Sequence, residues 1–225
     1  MPCGTGRFAE SLASAGKRFV GADLSHAMLG EARRAVDAES ASAAERACFG
    51  LVQADAARLP FADASFDVVL STFGAMFAPD QRRTAREMMR VLRSGGRLGM
   101  ANWTPEGFIG RLFRVIGRHV PPPAGLVSPA LWGTEAHLAE LFGPHAADLR
   151  AERRVFNFRY RSAAHWIQVF RDYYGPTHKA FAALDAGGQQ ALEHDLTALL
   201  GELNVAGPAS LVVPGEYLEV VVTRR

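Results

Sequence analysis

Three short stretches of this chain carry residue types and spacings able to do chemistry. Cys3-Gly4-Thr5-Gly6 is a glycine-rich turn in which Gly4 and Gly6 lack a Cβ, so a ligand can lie against the loop backbone. The helix expected over residues 7–15 would offer that ligand the positive end of its dipole. Asp23 closes the next strand, where two carboxylate oxygens suit both hydroxyls of a ribose. Asp55 closes the strand after that, placed to accept a hydrogen bond from an adenine amine. Together they describe an adenosine site. Each has an ordinary reading too: a tight strand–helix turn for the glycines, a helix cap for Asp23, a turn residue for Asp55. Their order, each at a strand end, favours the shared site.

The elements that must position these residues alternate. Arg18–Asp23 reads as a short strand, followed by a helix capped by Ser25 and running to about Val36, with Met28, Leu29 and Ala32 on one face. Residues 37–47 read as a helix tail or surface loop, and Phe49–Ala54 as a strand. The Leu59-Pro60-Phe61 turn with Asp63 leads to Phe66–Ser71, a run apolar enough for burial on both faces. Gln81–Leu92 is a helix stopped by Ser94-Gly95-Gly96, and Arg97–Asn102 is the next strand. Strands alternating with helices imply a parallel sheet with right-handed crossovers. Beyond Trp103 come helices over Gly107–His119 and Thr134–Phe142, with Thr134 as the expected cap, and strands over Val155–Tyr160 and Tyr217–Thr223. Residues 162–208 read as a helical insertion before the last strand. The expected organisation is one domain over 1–225, with 1–103 holding the cofactor and 104–225 facing the substrate.

Composition narrows the function class. The chain has 225 residues, 48% of them hydrophobic, and Lys+Arg 25 against Asp+Glu 23 leaves a charge of +2. No basic run forms a nucleic-acid patch, and the arginines between Arg150 and Arg161 alternate with apolar residues as on the wet face of a strand. Two cysteines make no disulfide framework, and no segment of about 20 apolar residues could span a bilayer, so a cytoplasmic setting is expected. Neither a nucleic-acid partner nor a metal is expected.

CGTGRFA, GADLSHAML, ADAARLPFADASFDVVLSTFG and REMMRVLRSGGRL together resemble class I S-adenosylmethionine-dependent methyltransferases, specifically the type 11 branch that includes the ubiquinone/menaquinone biosynthesis enzymes. The match runs from Cys3 to about Trp103. It implies a Rossmann-like α/β fold: a mostly parallel sheet, helices on both faces and an antiparallel last strand. It also implies S-adenosyl-L-methionine as cofactor. Cys3, Gly4, Thr5 and Gly6 then face its methionine half. Asp23 holds the ribose, Leu24 and Met28 flank the adenine, and Asp55 takes the adenine amine between Ala54 and Ala56. Ser71 and Phe73 fall on the loop between cofactor and acceptor. Ser94 stands where the family usually has proline. The family's first strand, central between Arg18–Asp23 and Phe66–Ser71, is expected to be missing, as in an N-terminally truncated chain.

The expected reaction is methyl transfer to a small, largely apolar acceptor by in-line displacement. An inactive truncated enzyme, or a cofactor-binding module without turnover, is the alternative. A nicotinamide-dependent oxidoreductase fits less well: Ala9 stands at the last position of its glycine pattern, no Tyr-x-x-x-Lys pair occurs, and Asp55 has no role there. Methyl transfer from a sulfonium asks for alignment and dryness more than for a triad. Candidate bases or orienting groups are His119, His178 and Tyr174, with His165 and Tyr173 behind them. Phe73, Met76, Phe77, Trp103, Phe108 and Trp132 either line an apolar mouth or seal the core.

Overall fold

A computed structural model describes residues 18–39 and 48–225. The described residues form two compact units, one of 18–39, 48–101, 135–151 and 220–225, the other of 102–134 and 152–219.

In the first unit, β1 (Phe19–Asp23) pairs in parallel with β2 (Phe49–Gln53), in register from Phe19 opposite Phe49 to Asp23 opposite Gln53. Between them lies α1 (His26–Glu39), which buries Leu29, Ala32 and Val36 along one face. Ser25 does cap it, its Oγ accepting the Met28 N–H at 3.4 Å. Met28 itself lies off the buried stripe and is exposed, contrary to the helical-face expectation.

β3 (Phe66–Thr72) pairs in parallel with β4 (Leu92–Trp103), Leu70 opposite Gly99 and Thr72 opposite Ala101. A Cβ on Gly99 would come within 2.8 Å of the tip of the exposed Leu70 side chain, which would have to turn aside to admit it. Connecting the two strands is α2 (Gln81–Val91), capped by the Asp80 carboxylate, which accepts the Arg83 N–H at 2.9 Å. Gln81, Thr84, Ala85, Met88 and Met89 are buried at helical spacing while Arg82, Arg83 and Arg86 face outward. Ser94-Gly95-Gly96 lies inside β4, which starts at Leu92 directly after the helix and not at Arg97 as the glycine stop suggested; Gly95, at φ 73°, sits where the register with β3 shifts between Leu92 and Arg97. The unit also contains α4 (Glu135–Phe142). Thr134 before it donates its hydroxyl back to the Leu131 carbonyl at 2.8 Å.

The strands divide into two sheets among the described residues: β1 with β2, and β3-β4-β6-β5, whose last strand β6 (Leu211–Arg224) is antiparallel and whose edge strand is β5 (Ala146–Tyr160). None of the described strands joins the two sheets. Val69 and Ser71 bury one face of β3 while Val68 and Leu70 on the other are exposed, so the expectation that β3 is buried on both faces does not hold. β5 begins nine residues earlier than the alternation suggested, and both its faces are open: Val155 and Phe156 are exposed beside the arginines.

The second unit contains α3 (Phe108–His119), α5 (Ala163–Tyr173), α6 (Gly175–Ala183) and α7 (Ala186–Leu203). Ser162 caps α5 and Asp185 caps α7 through side-chain oxygens that accept the His165 and Gly188 N–H groups. Buried Phe108, Ile109 and Leu112 of α3, Trp166, Ile167 and Phe170 of α5, and Leu192, Leu196 and Leu200 of α7 form the core of this unit. No helix among the described residues is long and apolar enough to cross a membrane.

Candidate functional site

The parallel pairing of β1 with β2 sets two carboxylates at the ends of neighbouring strands. Asp23 is the last residue of β1, and its backbone carbonyl accepts the Ala54 N–H at 3.0 Å, tying together the segments that follow the two strands. Gln53 adds a second tie, donating from Nε2 to the Leu24 carbonyl at 3.0 Å. The Asp23 side chain is buried, at 7% exposure, and its Oδ1 accepts the Ser25 N–H at 2.9 Å. That bond fixes the carboxylate against the start of α1. Asp55 is exposed, and its Oδ1 accepts the Ala57 N–H at 2.8 Å in a turn closed by Arg58 N–H to the Asp55 carbonyl at 2.9 Å. Both aspartates therefore shape their turns, as the ordinary reading has it, and both stand at strand ends, as the adenosine reading requires. Ala54 and Ala56 beside Asp55 are half-buried and small. Leu24 and Met28 are exposed, so an apolar surface adjoins the Asp23 strand end.

The loop after β3 is held in one shape. Ser71 is buried, and its Oγ accepts the Ala75 N–H at 3.0 Å. Phe73 takes φ 56°, in the left-handed region disfavoured for a bulky side chain, and donates its N–H to the Ala101 carbonyl at 2.8 Å. Strain of this kind persists where surrounding structure over-determines it, and it gathers at functional sites. Cys3, Gly4, Thr5 and Gly6 lie outside the described residues.

A clamp between residues of two quoted motifs, whose pairing the sequence does not announce, supports the Asp55 side. The Arg90 guanidinium, in the last turn of α2, donates to the Phe61 carbonyl at 2.7 Å, the Leu59 carbonyl at 3.0 Å and Asp63 Oδ1 at 2.8 Å. It also pairs with both Glu87 oxygens, at 2.7 and 2.8 Å. Glu87 Oε2 in turn accepts the Leu59 N–H at 2.8 Å. Arg90 holds the Glu87 carboxyl below its ordinary range, and the two carboxylates keep the guanidinium charged. The Leu59-Pro60-Phe61 turn that follows Asp55 is thus bolted to α2. Sequence reasoning missed it because the Arg–Glu pair is three residues apart on a helix, the commonest surface pattern there is.

The base candidates all belong to the second unit, and two are already engaged. His119 is mostly buried and pairs through Nε2 with Asp195 Oδ2 at 2.9 Å, which holds the Asp195 carboxyl below its usual range. His178 donates from Nδ1 to the Arg171 carbonyl at 2.9 Å. His165 accepts the Arg161 N–H at a long 3.4 Å, and Tyr173 is exposed. Tyr174 has its hydroxyl buried, and burial pushes the phenol up, so it stays protonated at neutral pH. Of the aromatic and Met residues suggested for an apolar mouth, Met76, Trp103, Phe108 and Trp132 are core, whereas Phe77 is exposed.

Residues 1–100 match the Methyltransf_11 family model, described as a methyltransferase domain. An uncharacterised protein of Mycobacterium tuberculosis is 35% identical over 222 residues, covering 97% of this chain and 77% of its own length. Demethylmenaquinone methyltransferase of Deinococcus radiodurans is 35% identical over 167 residues, covering 72% of this chain and 67% of its own. The chain belongs to the type 11 S-adenosylmethionine-dependent methyltransferases. The fold agrees: a candidate methyltransferase of Bacillus halodurans superposes with a TM-score of 0.63 at 18% identity, over 99% of this chain and 89% of that one. For a methyltransferase, the strand-end aspartates and the rigid loop after β3 stand where open α/β sheets bind their ligands, at the carboxyl ends of the strands.

Proposed function

We propose that this methyltransferase moves a methyl group from S-adenosylmethionine to a small, largely apolar acceptor by in-line displacement. The observation that carries the cofactor half is the Asp23 carboxylate, buried at the end of β1 beside the exposed apolar pair Leu24 and Met28, with Asp55 at the end of the neighbouring strand. The donor set fits the group: a carboxylate for ribose hydroxyls, an exposed carboxylate flanked by small residues for an amine, and apolar side chains for a flat ring. Asp23 and Asp55 would hold the nucleoside, and Cys3, Gly4, Thr5 and Gly6 the methionine half. When bound, the cofactor supplies an electrophilic methyl on a sulfonium whose departure leaves a neutral sulfide.

What the chain must add is position and dryness. Ser71 and Phe73 fix the loop that would face the transfer, the first by its hydrogen bond to Ala75 and the second by its anchored backbone. The acceptor would be met by the substrate-side part, residues 104–225, with its helical insertion at about 162–208. Among the base candidates Tyr174 alone has a side-chain polar atom that is both buried and without a hydrogen-bond partner among the described residues. It is a donor that orients an acceptor oxygen and not a base, because burial holds its proton on.

The test is calorimetric titration with S-adenosylhomocysteine. Asp23→Ala should weaken binding by about 1–3 kcal/mol, on the order of 5- to 150-fold, the cost of leaving buried partners unpaired. An unchanged dissociation constant removes Asp23 from the site.

A further inference from the structure

Strand β5 ends its sheet with an uncovered edge. The strand order β3-β4-β6-β5 gives it β6 as its neighbour, and none of the described strands pairs with its outer side. It runs for 15 residues, about three times the usual strand length, and its sequence AADLRAERRVFNFRY contains no proline, glycine or lysine. From Ala147 to Asn157 every residue except Leu149 and Ala151 is exposed. A long row of free N–H and C=O groups is a template for another strand, and proteins commonly blunt it by shortness, proline or lysine. β5 uses none of these.

It carries a charge pattern instead. Side chains two apart share a face of a strand, and one face of β5 holds Asp148, Arg150, Glu152 and Arg154, alternating in sign. The contacts agree: Arg150 Nε donates to Asp148 Oδ2 at 2.8 Å, and the Arg154 guanidinium donates to Glu152 Oε2 at 2.6 Å. Read from the other end, this alternation inverts. An antiparallel copy of the same strand, set with Ala151 opposite Ala151, therefore brings Asp148 of each copy to Arg154 of the other and Arg150 of each copy to Glu152 of the other. Every charged position on that face meets its opposite. Slipping the copy by two residues one way sets Arg150 opposite Arg154 and Glu152 opposite Glu152; the other way sets Asp148 opposite Glu152 and Arg150 opposite Arg150. Charge thus selects one register and rejects its neighbours. In the selected register Val155 and Phe156, 58% and 53% exposed, lie opposite Ala147 and Ala146, which gives cover to apolar side chains that the single chain leaves in water.

We infer that β5 is the seam of a symmetric dimer, in which two copies of this chain pair edge to edge, antiparallel about Ala151. The interface is isologous, so each attractive pair occurs twice. Pairing from Ala146 to Phe156 supplies about ten backbone hydrogen bonds, and the charges fix the register in which they form.

Sedimentation velocity on the full chain, from micromolar to near-millimolar concentration, should show a dimer. Asp148→Arg alone sets arginine opposite Arg154 on both sides of the two-fold, and Arg154→Asp alone sets aspartate opposite Asp148; each should weaken the dimer by about ten-fold or more. Mixing the two variants in equal amounts restores opposite charges at both places, and the mixture should dimerise within about three-fold of the parent. These side chains are exposed and their pairs along the strand contribute little, so each variant should melt as the parent does. Amide exchange on the parent needs no variant: the outward N–H groups between 147 and 155 should be as protected as those facing β6, and a fast-exchanging edge overturns the seam. A parent that stays monomeric overturns it too, and makes the charges a guard on the edge. So does a dimer indifferent to both single reversals, which would lie on another face, and so does a mixture that dimerises no better than its separate components.

Discussion

Replacing Arg90 by methionine tests whether the loop after Asp55 is held from α2. Methionine keeps most of the stem and removes five hydrogen bonds. Two of them reach the Leu59 and Phe61 carbonyls, which lie in a partly buried turn and lose a charged donor. At about 1 kcal/mol each they account for roughly 2 kcal/mol. Glu87 is only 18% exposed and loses its counter-ion, at about 1 kcal/mol more, while Asp63, at 77% exposure, adds next to nothing. The sum is about 3 kcal/mol, which for a chain of this length lowers Tm by roughly 6–12 °C. Thermal unfolding followed by circular dichroism at pH 7 gives the number. A Glu87→Gln, Arg90→Met double-mutant cycle then separates the pair: a coupling of about 1–2 kcal/mol is expected between residues in direct contact. A Tm within 1 °C of the parent would refute the clamp.

Acid should act through the same pair. Arg90 depresses the Glu87 carboxyl in the folded state, so its contribution is fully present above the ordinary carboxylate pKa and is lost as pH falls through the folded value. The urea midpoints of the parent and Glu87→Gln should therefore converge between pH 5 and the acid limit, and parallel curves would exclude the linkage. Gly133→Ala should be among the most damaging single changes in the second unit. Its Cβ would sit 2.1 Å from the Trp103 carbonyl oxygen and 2.6 Å from Thr104 Cα, both backbone atoms that cannot swing aside. A loss of about 3 kcal/mol or more in the denaturation free energy is expected, and a loss below 1 would show that the backbone gives way.

The strands that place Asp23 and Asp55 were legible because each is a short apolar run bounded by turn residues, and the structure sets both where the pattern put them, within a residue. Met28 misled because it borders the Leu29, Ala32 and Val36 stripe, about 40° from Ala32 around the helix but on the outer side of it, and is left exposed. Apolar content gave β3 as a fully buried strand, yet composition does not say whether anything packs over each face, and Val68 and Leu70 on one face are open. The alternation of arginines with apolar residues from Arg150 was strand-like, but the start of β5 at Ala146 carries no large apolar residue except Leu149 and was not read as strand. Arg90 escaped notice because its pairing with Glu87 looks like an ordinary surface pair, while its other acceptors lie 27 to 31 residues back in the chain, beyond any local pattern. The buried, unmatched Tyr174 hydroxyl is a property of packing, and no spacing announces a missing hydrogen bond.

Strand β6 has a consequence for how the protein is made. Residues 211–219 belong to one compact unit and 220–225 to the other, so a single strand completes both. Arg224 donates to the Arg90 and Leu92 carbonyls across 134 and 132 residues of chain. During translation neither unit can close until this stretch leaves the ribosome, and β3 and β4 must wait through more than a hundred residues of synthesis with one edge uncovered. Contacts of such separation make for slow closure, and an open strand edge invites pairing with other chains in the meantime. Nascent chains stalled before residue 211 should therefore be the form that proteases and chaperones meet most readily.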